Sequence, residues 1–180
     1  MRFANAATRP ESSKGGPMRA LAILAAALAV AACQPKTEAQ APADPAKQEQ
    51  SAQSKAYMDK VKAEAGVKVL ASGLAYKVVR SGPATGLKPQ LTDEVKVHYE
   101  GKLINGKVFD QTKPEEAATF MTGRLIPGWV EALKLMKTGD TWEIVVPSEL
   151  GYGADGAGDS IPPDQTLVFT MTLAKVEYAN

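Results

Sequence analysis

The chain has 180 residues, enough for one domain of ordinary size plus appendages, and its 21 Lys+Arg against 20 Asp+Glu leave a formal charge of +1. The balance is uneven: residues 69–180 carry 11 basic and 14 acidic side chains with no basic stripe, which argues against a grip on nucleic acid. One Cys and one His exclude an internal disulfide framework and count against a His/Cys zinc centre.

Residues 21–30 (LAILAAALAV) form an apolar run of ten, too short to span a bilayer core of about 30 Å. The run follows Met18-Arg19 and ends in small residues, the order of a secretory signal over residues 1–33. Residues 1–17 make a long lead containing Pro10, Gly15, Gly16 and Pro17, so Met18 is an alternative start. Val30-Ala31-Ala32-Cys33 resembles the lipobox of bacterial lipoproteins, which implies lipidation of Cys33 and a membrane anchor, with Gln34 favouring the outer membrane.

Residues 34–54 contain no Val, Ile, Leu or aromatic residue and are expected to form a disordered tether. A short helix is expected over residues 55–68, with Ser54 as its cap and Gly66 ending its pattern. The domain proper is then residues 69–180, where the period changes to two. Leu74, Tyr76 and Val78 alternate, as do Val95, Val97 and Tyr99, with Lys96, His98 and Glu100 on the polar side. Asn105-Gly106 is the dipeptide of a two-residue hairpin. Residues 119–122 read as a short strand, and Pro127 opens a helix with Trp129, Ala132, Leu133 and Met136 on one stripe. Residues 141–146 alternate again, residues 149–165 make a Gly/Pro-rich loop, and residues 166–177 form the longest strand. Together they predict an α+β fold, a curved antiparallel sheet wrapped around one short helix.

No paired carboxylates, Ser/His arrangement or phosphate loop accompanies these elements, and His98 reads as structural, so no cofactor or metal is expected. What remains is aromatic: Tyr99 and Phe169 point inward by alternation, and Trp129 stands at a helix start, at the edge of a core. Asp110 follows Phe109 at the end of the hairpin, either as a solvated strand-end carboxylate or as one sheltered beside the aromatic residues.

Five runs in order carry a resemblance: Val95-Lys96-Val97-His98-Tyr99-Glu100-Gly101 through Asn105-Gly106-Lys107-Val108-Phe109-Asp110, then Leu125-Ile126-Pro127-Gly128-Trp129, Gly151-Tyr152-Gly153, Ile161-Pro162-Pro163 and Thr166-Leu167-Val168-Phe169. The chain resembles the FKBP-type peptidyl-prolyl cis-trans isomerases, and residues 57–79 look like the junction in exported Mip-like and FkpA-like members. The resemblance implies a pocket walled by Tyr99, Phe109, Phe120, Leu125, Ile126 and Phe169, floored by Trp129 and rimmed by Tyr152 and Ile161. Asp110 would accept a hydrogen bond at its mouth, while the Ile126 N–H and the Tyr152 hydroxyl would hold substrate carbonyls. Ala118, Ala157 and Ser160 depart from the family's usual residues and would open one wall. The implied partners are proline-containing polypeptides and unfolded envelope proteins, with the chain a monomer. A binding module or scaffold using the same groove without turnover is the alternative.

Overall fold

The computed structural model describes residues 45–178. The export signal, Cys33 and the first half of the expected tether lie outside those residues. The elements in order are α1 (Pro45–Lys62), β1 (Val67–Val69), β2 (Ala75–Arg80), β3 (Glu94–Leu103), β4 (Val108–Gln111), β5 (Ala118–Met121), α2 (Pro127–Leu135), β6 (Thr141–Val146) and β7 (Leu167–Glu177). Two 3-10 turns, Thr122–Arg124 and Ser148–Leu150, follow β5 and β6.

The strands make one antiparallel sheet in the order β1-β2-β6-β7-β3-β4, with β5 also paired to β3. Its two longest strands, β3 and β7, pair from Glu94↔Glu177 to Leu103↔Leu167, and the register shifts between Lys96 and Val97. The β3–β4 hairpin turns at Asn105-Gly106, where Gly106 adopts φ 86° and donates its N–H to Leu103.

Alternation in β6 and β7 sorts the side chains between two layers. Trp142, Ile144, Val146, Leu167, Phe169, Met171 and Leu173 face a core completed by Trp129, Ala132, Leu133 and Met136 of α2. Val145, Ala75 and Val168 face the other way, into a smaller cluster with Met58 and Val61 of α1. The sheet therefore has a helix on each face. Strand β2 departs from the expected alternation beyond Tyr76, which stacks on Trp142 at 4.4 Å, because Val78 and Val79 run out to solvent.

The helix before the sheet corrects the sequence reading. Residues 45–54, expected in the tether, form the first half of α1, which ends at Lys62 rather than reaching residue 68. Residues 67–69 are instead strand β1, paired to β2. The absence of Val, Ile and Leu had argued that nothing here could be buried. Ala, Gln, Lys and Glu are, however, good helix formers, Pro45 suits a first helical turn, and the helix docks through polar side chains as well as through Met58 and Val61.

One polar knot ties the turn between α2 and β6 to the arc after β2. The Asp140 carboxylate, its side chain 5% exposed, accepts from Gly82 N–H at 2.6 Å, from Lys137 N–H at 3.0 Å and from Lys137 Nζ at 2.7 Å. Burial opposes the charge on Asp140, but the hydrogen bonds from the Lys137 side chain and the two backbone N–H groups, aided by the ammonium's charge, outweigh it and hold the carboxyl below its ordinary 3.8. The resulting stability is present above pH 3.8 and is lost as pH falls through the lower folded value. Asp140→Ala is expected to cost about 2–4 kcal/mol in urea unfolding, because it leaves two backbone donors unpaired and takes the counter-charge from Lys137, which keeps only Ser81 Oγ and the Gly82 carbonyl as acceptors. In the same variant, the acid-side fall in stability attributable to this carboxyl should vanish.

Candidate functional site

The N-terminal end of α2, strands β3, β4, β5 and β7 and the loop after β6 converge on one open cavity of about 290 Å³. Its lining is Tyr99, Phe109, Asp110, Phe120, Arg124, Leu125, Ile126, Trp129, Tyr152 and Phe169. Such a volume is at the lower end of the range for small-ligand sites, and the lining is mainly apolar with a few polar groups at its edge.

Trp129 sits at the base, 4% exposed, because Pro127 starts α2 two residues earlier and seats its first turn on the sheet. Three rings stand nearly perpendicular to the indole: Tyr99 at 5.0 Å, Phe169 at 5.2 Å and Phe120 at 5.8 Å between centroids. Phe109 extends the wall by an edge contact with Phe169 at 5.6 Å. The two phenyl rings crowd β3 at Gly101, where a Cβ would lie 2.7 Å from Phe109 and 2.9 Å from Phe169. Only a residue without a side chain permits that approach.

Polar groups gather at the mouth. The Tyr99 hydroxyl donates to Asp110 Oδ2 at 2.5 Å. Burial, then the hydrogen bond to Asp110 and that carboxylate's charge, push the Tyr99 phenol above its ordinary 10.0. The phenol consequently stays protonated, and the contact's stability is present below pH 10.0 and lost only as pH rises through the higher folded value. The prediction is that Tyr99 adds no titration to binding at this cavity between pH 7 and pH 10.0: at constant ionic strength, the pH dependence of wild type and of Tyr99→Phe should coincide over that range. Tyr99→Phe should weaken binding by at most about threefold, because Asp110 is exposed and water takes the lost donor's place.

Ile126, the residue before α2, accepts from the Trp129 and Val130 N–H groups through its carbonyl, while its own N–H, at the start of the helix, is given to no backbone carbonyl among the described residues. The preceding 3-10 turn is anchored by Thr122, whose N–H and Oγ1 both donate to the Asp93 carbonyl, at 3.0 and 2.9 Å. That anchor aims Arg124 and Leu125 at the cavity. Tyr152, 40% exposed, stands on the rim.

The structure thus brings together the residues expected for the pocket with one exception. Ile161 is 5% exposed and belongs to the main core, bridged to Ala157 on the loop's inner side, so it supports the rim rather than lining it. Ala118, opposite Val97 in β5, is outside the lining, as are Ala157 and Ser160. Arg124 was missed. Its signal was its place in the sequence, directly before Leu125-Ile126, but nothing local says that this arginine faces the cavity. His98 lies outside the pocket, against Thr112, Pro114, Thr170 and Thr172.

Comparison with known proteins agrees with this geometry. The family described as FKBP-type peptidyl-prolyl cis-trans isomerase matches residues 86–174, and the domain amino terminal to FKBP-type peptidyl-prolyl isomerase matches residues 15–78. The "Outer membrane protein MIP" of Legionella longbeachae is 45% identical over 133 residues, 73% of this chain and 56% of that protein. The "FKBP-type 22 kDa peptidyl-prolyl cis-trans isomerase" of Escherichia coli is 45% identical over 130 residues, 72% of this chain and 62% of that protein. This chain therefore spans less than two thirds of those curated relatives. Among solved structures, a peptidyl-prolyl cis-trans isomerase from Pseudomonas syringae superposes with TM-score 0.69 at 38% identity, covering 75% of this chain and 98% of that one. FkpA from Escherichia coli gives TM-score 0.70 at 40% identity, covering 75% and 62%. A sheet packed on the short helix α2, an aromatic cavity at that helix's start and these matches have one meaning: the chain belongs to the FKBP-type peptidyl-prolyl cis-trans isomerase family.

Proposed function

We propose that this chain catalyses cis–trans isomerisation of X–Pro bonds in polypeptides, and so assists the folding of exported proteins. The observation that supports this most is the cavity itself: a floor of indole edged by three rings, with polar side chains gathered at its mouth.

Rotation about a peptide bond crosses a barrier of about 18–20 kcal/mol, and uncatalysed X–Pro exchange takes about 10–100 s. The planar amide is the more polar state, since resonance places charge on oxygen and nitrogen, so water favours it over the twisted one. A prolyl amide inside rings of low polarity loses that differential solvation. Contacts that fit the twisted bond better than the planar one then lower the barrier, and about 4–5 kcal/mol would give about 10³–10⁴-fold acceleration. Tyr99, Phe109, Phe169 and Trp129 would enclose the prolyl ring, with Phe120, Leu125 and Ile126 holding the neighbouring chain. The Ile126 N–H and the Tyr152 hydroxyl would orient substrate carbonyls, and Asp110 would keep the Tyr99 hydroxyl turned to the mouth.

In the same reading, the export signal and Cys33 tether a monomeric domain to a bacterial membrane, facing the periplasm. Metabolic labelling with a fatty acid tests the anchor: label should enter the wild type and not Cys33→Ser. The activity is tested by following an X–Pro peptide's slow phase with the full chain. A concentration-dependent acceleration is expected, and an unaltered slow phase at micromolar protein would refute the assignment.

A further inference from the structure

The loop between the second 3-10 turn and β7 carries Tyr152 on the pocket rim, and α1 holds that loop from outside. Within it, the Asp164 N–H donates to the Gly153 carbonyl at 2.9 Å and the Gly156 N–H to the Tyr152 carbonyl at 3.2 Å, so the loop closes on the rim tyrosine. Asp164 is the one non-glycine residue with positive φ among the described residues, at 55°. Asp enters this region more readily than most residues with a side chain, and here hydrogen bonds from its N–H and to its carbonyl hold the backbone in it.

Helix α1 supplies the second of these bonds. Ser54, 6% exposed, donates its hydroxyl to the Asp164 carbonyl at 2.8 Å and accepts from the Thr166 N–H at 3.1 Å. One turn earlier Gln50 Nε2 donates to Gln165 Oε1 at 2.6 Å, and Gln165, itself 4% exposed, donates to the Thr166 carbonyl at 2.9 Å. Lys47 Nζ donates to the Ala154 carbonyl at 3.3 Å and lies 3.8 Å from the Asp164 carboxylate. Positions 47, 50 and 54 share a helix face, and their contacts fall on both ends of the loop. None of the three residues lines the pocket.

We propose that α1 is a strut for the substrate-binding loop, with Ser54 and Gln50 as positioning residues that hold Asp164, and through Gly153 hold Tyr152 at the rim. The inference rests on the pocket being the peptide site. An exposed rim side chain has little packing of its own, so its placement comes from the backbone beneath it. Fixing that backbone in advance lowers the ordering cost of binding. The effect is on holding the peptide, not on twisting the bond, and it appears in KM rather than kcat.

The test uses the full chain with Ser54→Ala and Gln50→Ala, each alone and combined with Tyr152→Phe. Ser54→Ala is expected to raise KM for an X–Pro peptide about threefold to tenfold, with kcat within about twofold. Amide hydrogen exchange should quicken at Gly153, Gly156 and Asp164 while β3 and β7 keep their protection. In the Tyr152→Phe background the same change should add nothing to KM. Unchanged loop exchange, unchanged KM, or an undiminished loss in that background would each overturn the strut. If Ser54→Ala does not fold, Gln50→Ala carries the same measurements. A wild type without turnover counts against the isomerase assignment alone, because exchange and peptide affinity still read the strut.

A separate observation concerns the opposite rim. Arg124 is the one cation lining the cavity, and its exposed side chain makes no hydrogen bond or ion pair among the described residues. Asp110, the acid in the lining, already has one oxygen occupied by Tyr99. The geometry points to Arg124 as a selector for peptides with an acidic residue beside the proline. Fluorescence anisotropy of matched Glu-Pro and Gln-Pro peptides should give a preference for Glu of about twofold to fivefold at low salt. Arg124→Gln and raised ionic strength should each erase it. A preference that is absent in the wild type, or that survives Arg124→Gln, would refute this role.

Discussion

Trp129→Ala should lower kcat/KM about 100-fold, equivalent to about 2.7 kcal/mol of transition-state stabilisation. The indole is where three rings meet, so its removal takes away the floor and three edge contacts at once. Water then reaches the bound amide, and the differential solvation that enclosure by the rings removes returns. The same change should cost about 3–5 kcal/mol of stability, since the ring is almost fully buried between α2 and the sheet. Trp129→Phe separates the two consequences. Its indole N–H has no hydrogen-bond partner among the described residues, so a phenyl ring breaks no polar contact there. Most of the stability should remain while activity falls less than in the alanine variant. Isomerase progress curves and urea midpoints measured on the same preparations check this; wild-type activity in Trp129→Ala would place catalysis elsewhere.

Gly101→Ala is the second large effect, produced by adding one carbon atom. Its Cβ would fall 2.7 Å from one ring and 2.9 Å from another, both in the pocket wall. Gly101 cannot retreat, because it is paired on both sides, to Phe169 across β7 and to Asp110 across β4. The rings must therefore move into the cavity. Overpacking of this sort costs about 1–3 kcal/mol in stability. Catalysis should suffer more, about 10- to 100-fold in kcat/KM, since a displacement near 1 Å is large against the fit that a rotating amide requires. Phe109→Ala in the same chain should restore part of the lost stability by removing one of the two clashing rings, a coupling that a double-mutant cycle would measure. Additive losses would show that the glycine matters for another reason.

Much of the architecture was legible in the sequence because it rests on local period. Alternation in residues 94–103, 141–146 and 166–177 has one physical solution, a strand with one face in the core, and Asn105-Gly106 has one economical turn. The stripe Trp129, Ala132, Leu133, Met136 likewise had to face the sheet. Tyr99, Phe109 and Trp129 were marked by ring chemistry near element ends, and the ordered runs around them supplied the resemblance. What failed were inferences from composition. Residues 45–54 lack large apolar side chains, yet they are helical because Gln50 and Ser54 find partners more than 100 residues away, which no local window contains. Val145 lies on the face opposite Ile144 and is nonetheless 3% exposed, since α1 covers it.

The sequence by itself determined the strands, the single stripe of α2 and the set of rings, since each depends on the spacing of residues along a few turns or pleats. Only the tertiary structure decided that Ile161 supports the rim while Arg124 faces the cavity, that Gly101 yields its space to two rings, and that the N-terminal helix reaches the loop bearing Tyr152. These are contacts between residues far apart in the chain, fixed by how the sheet curves and what closes over it. Local preference carries no information about which distant groups a side chain will meet.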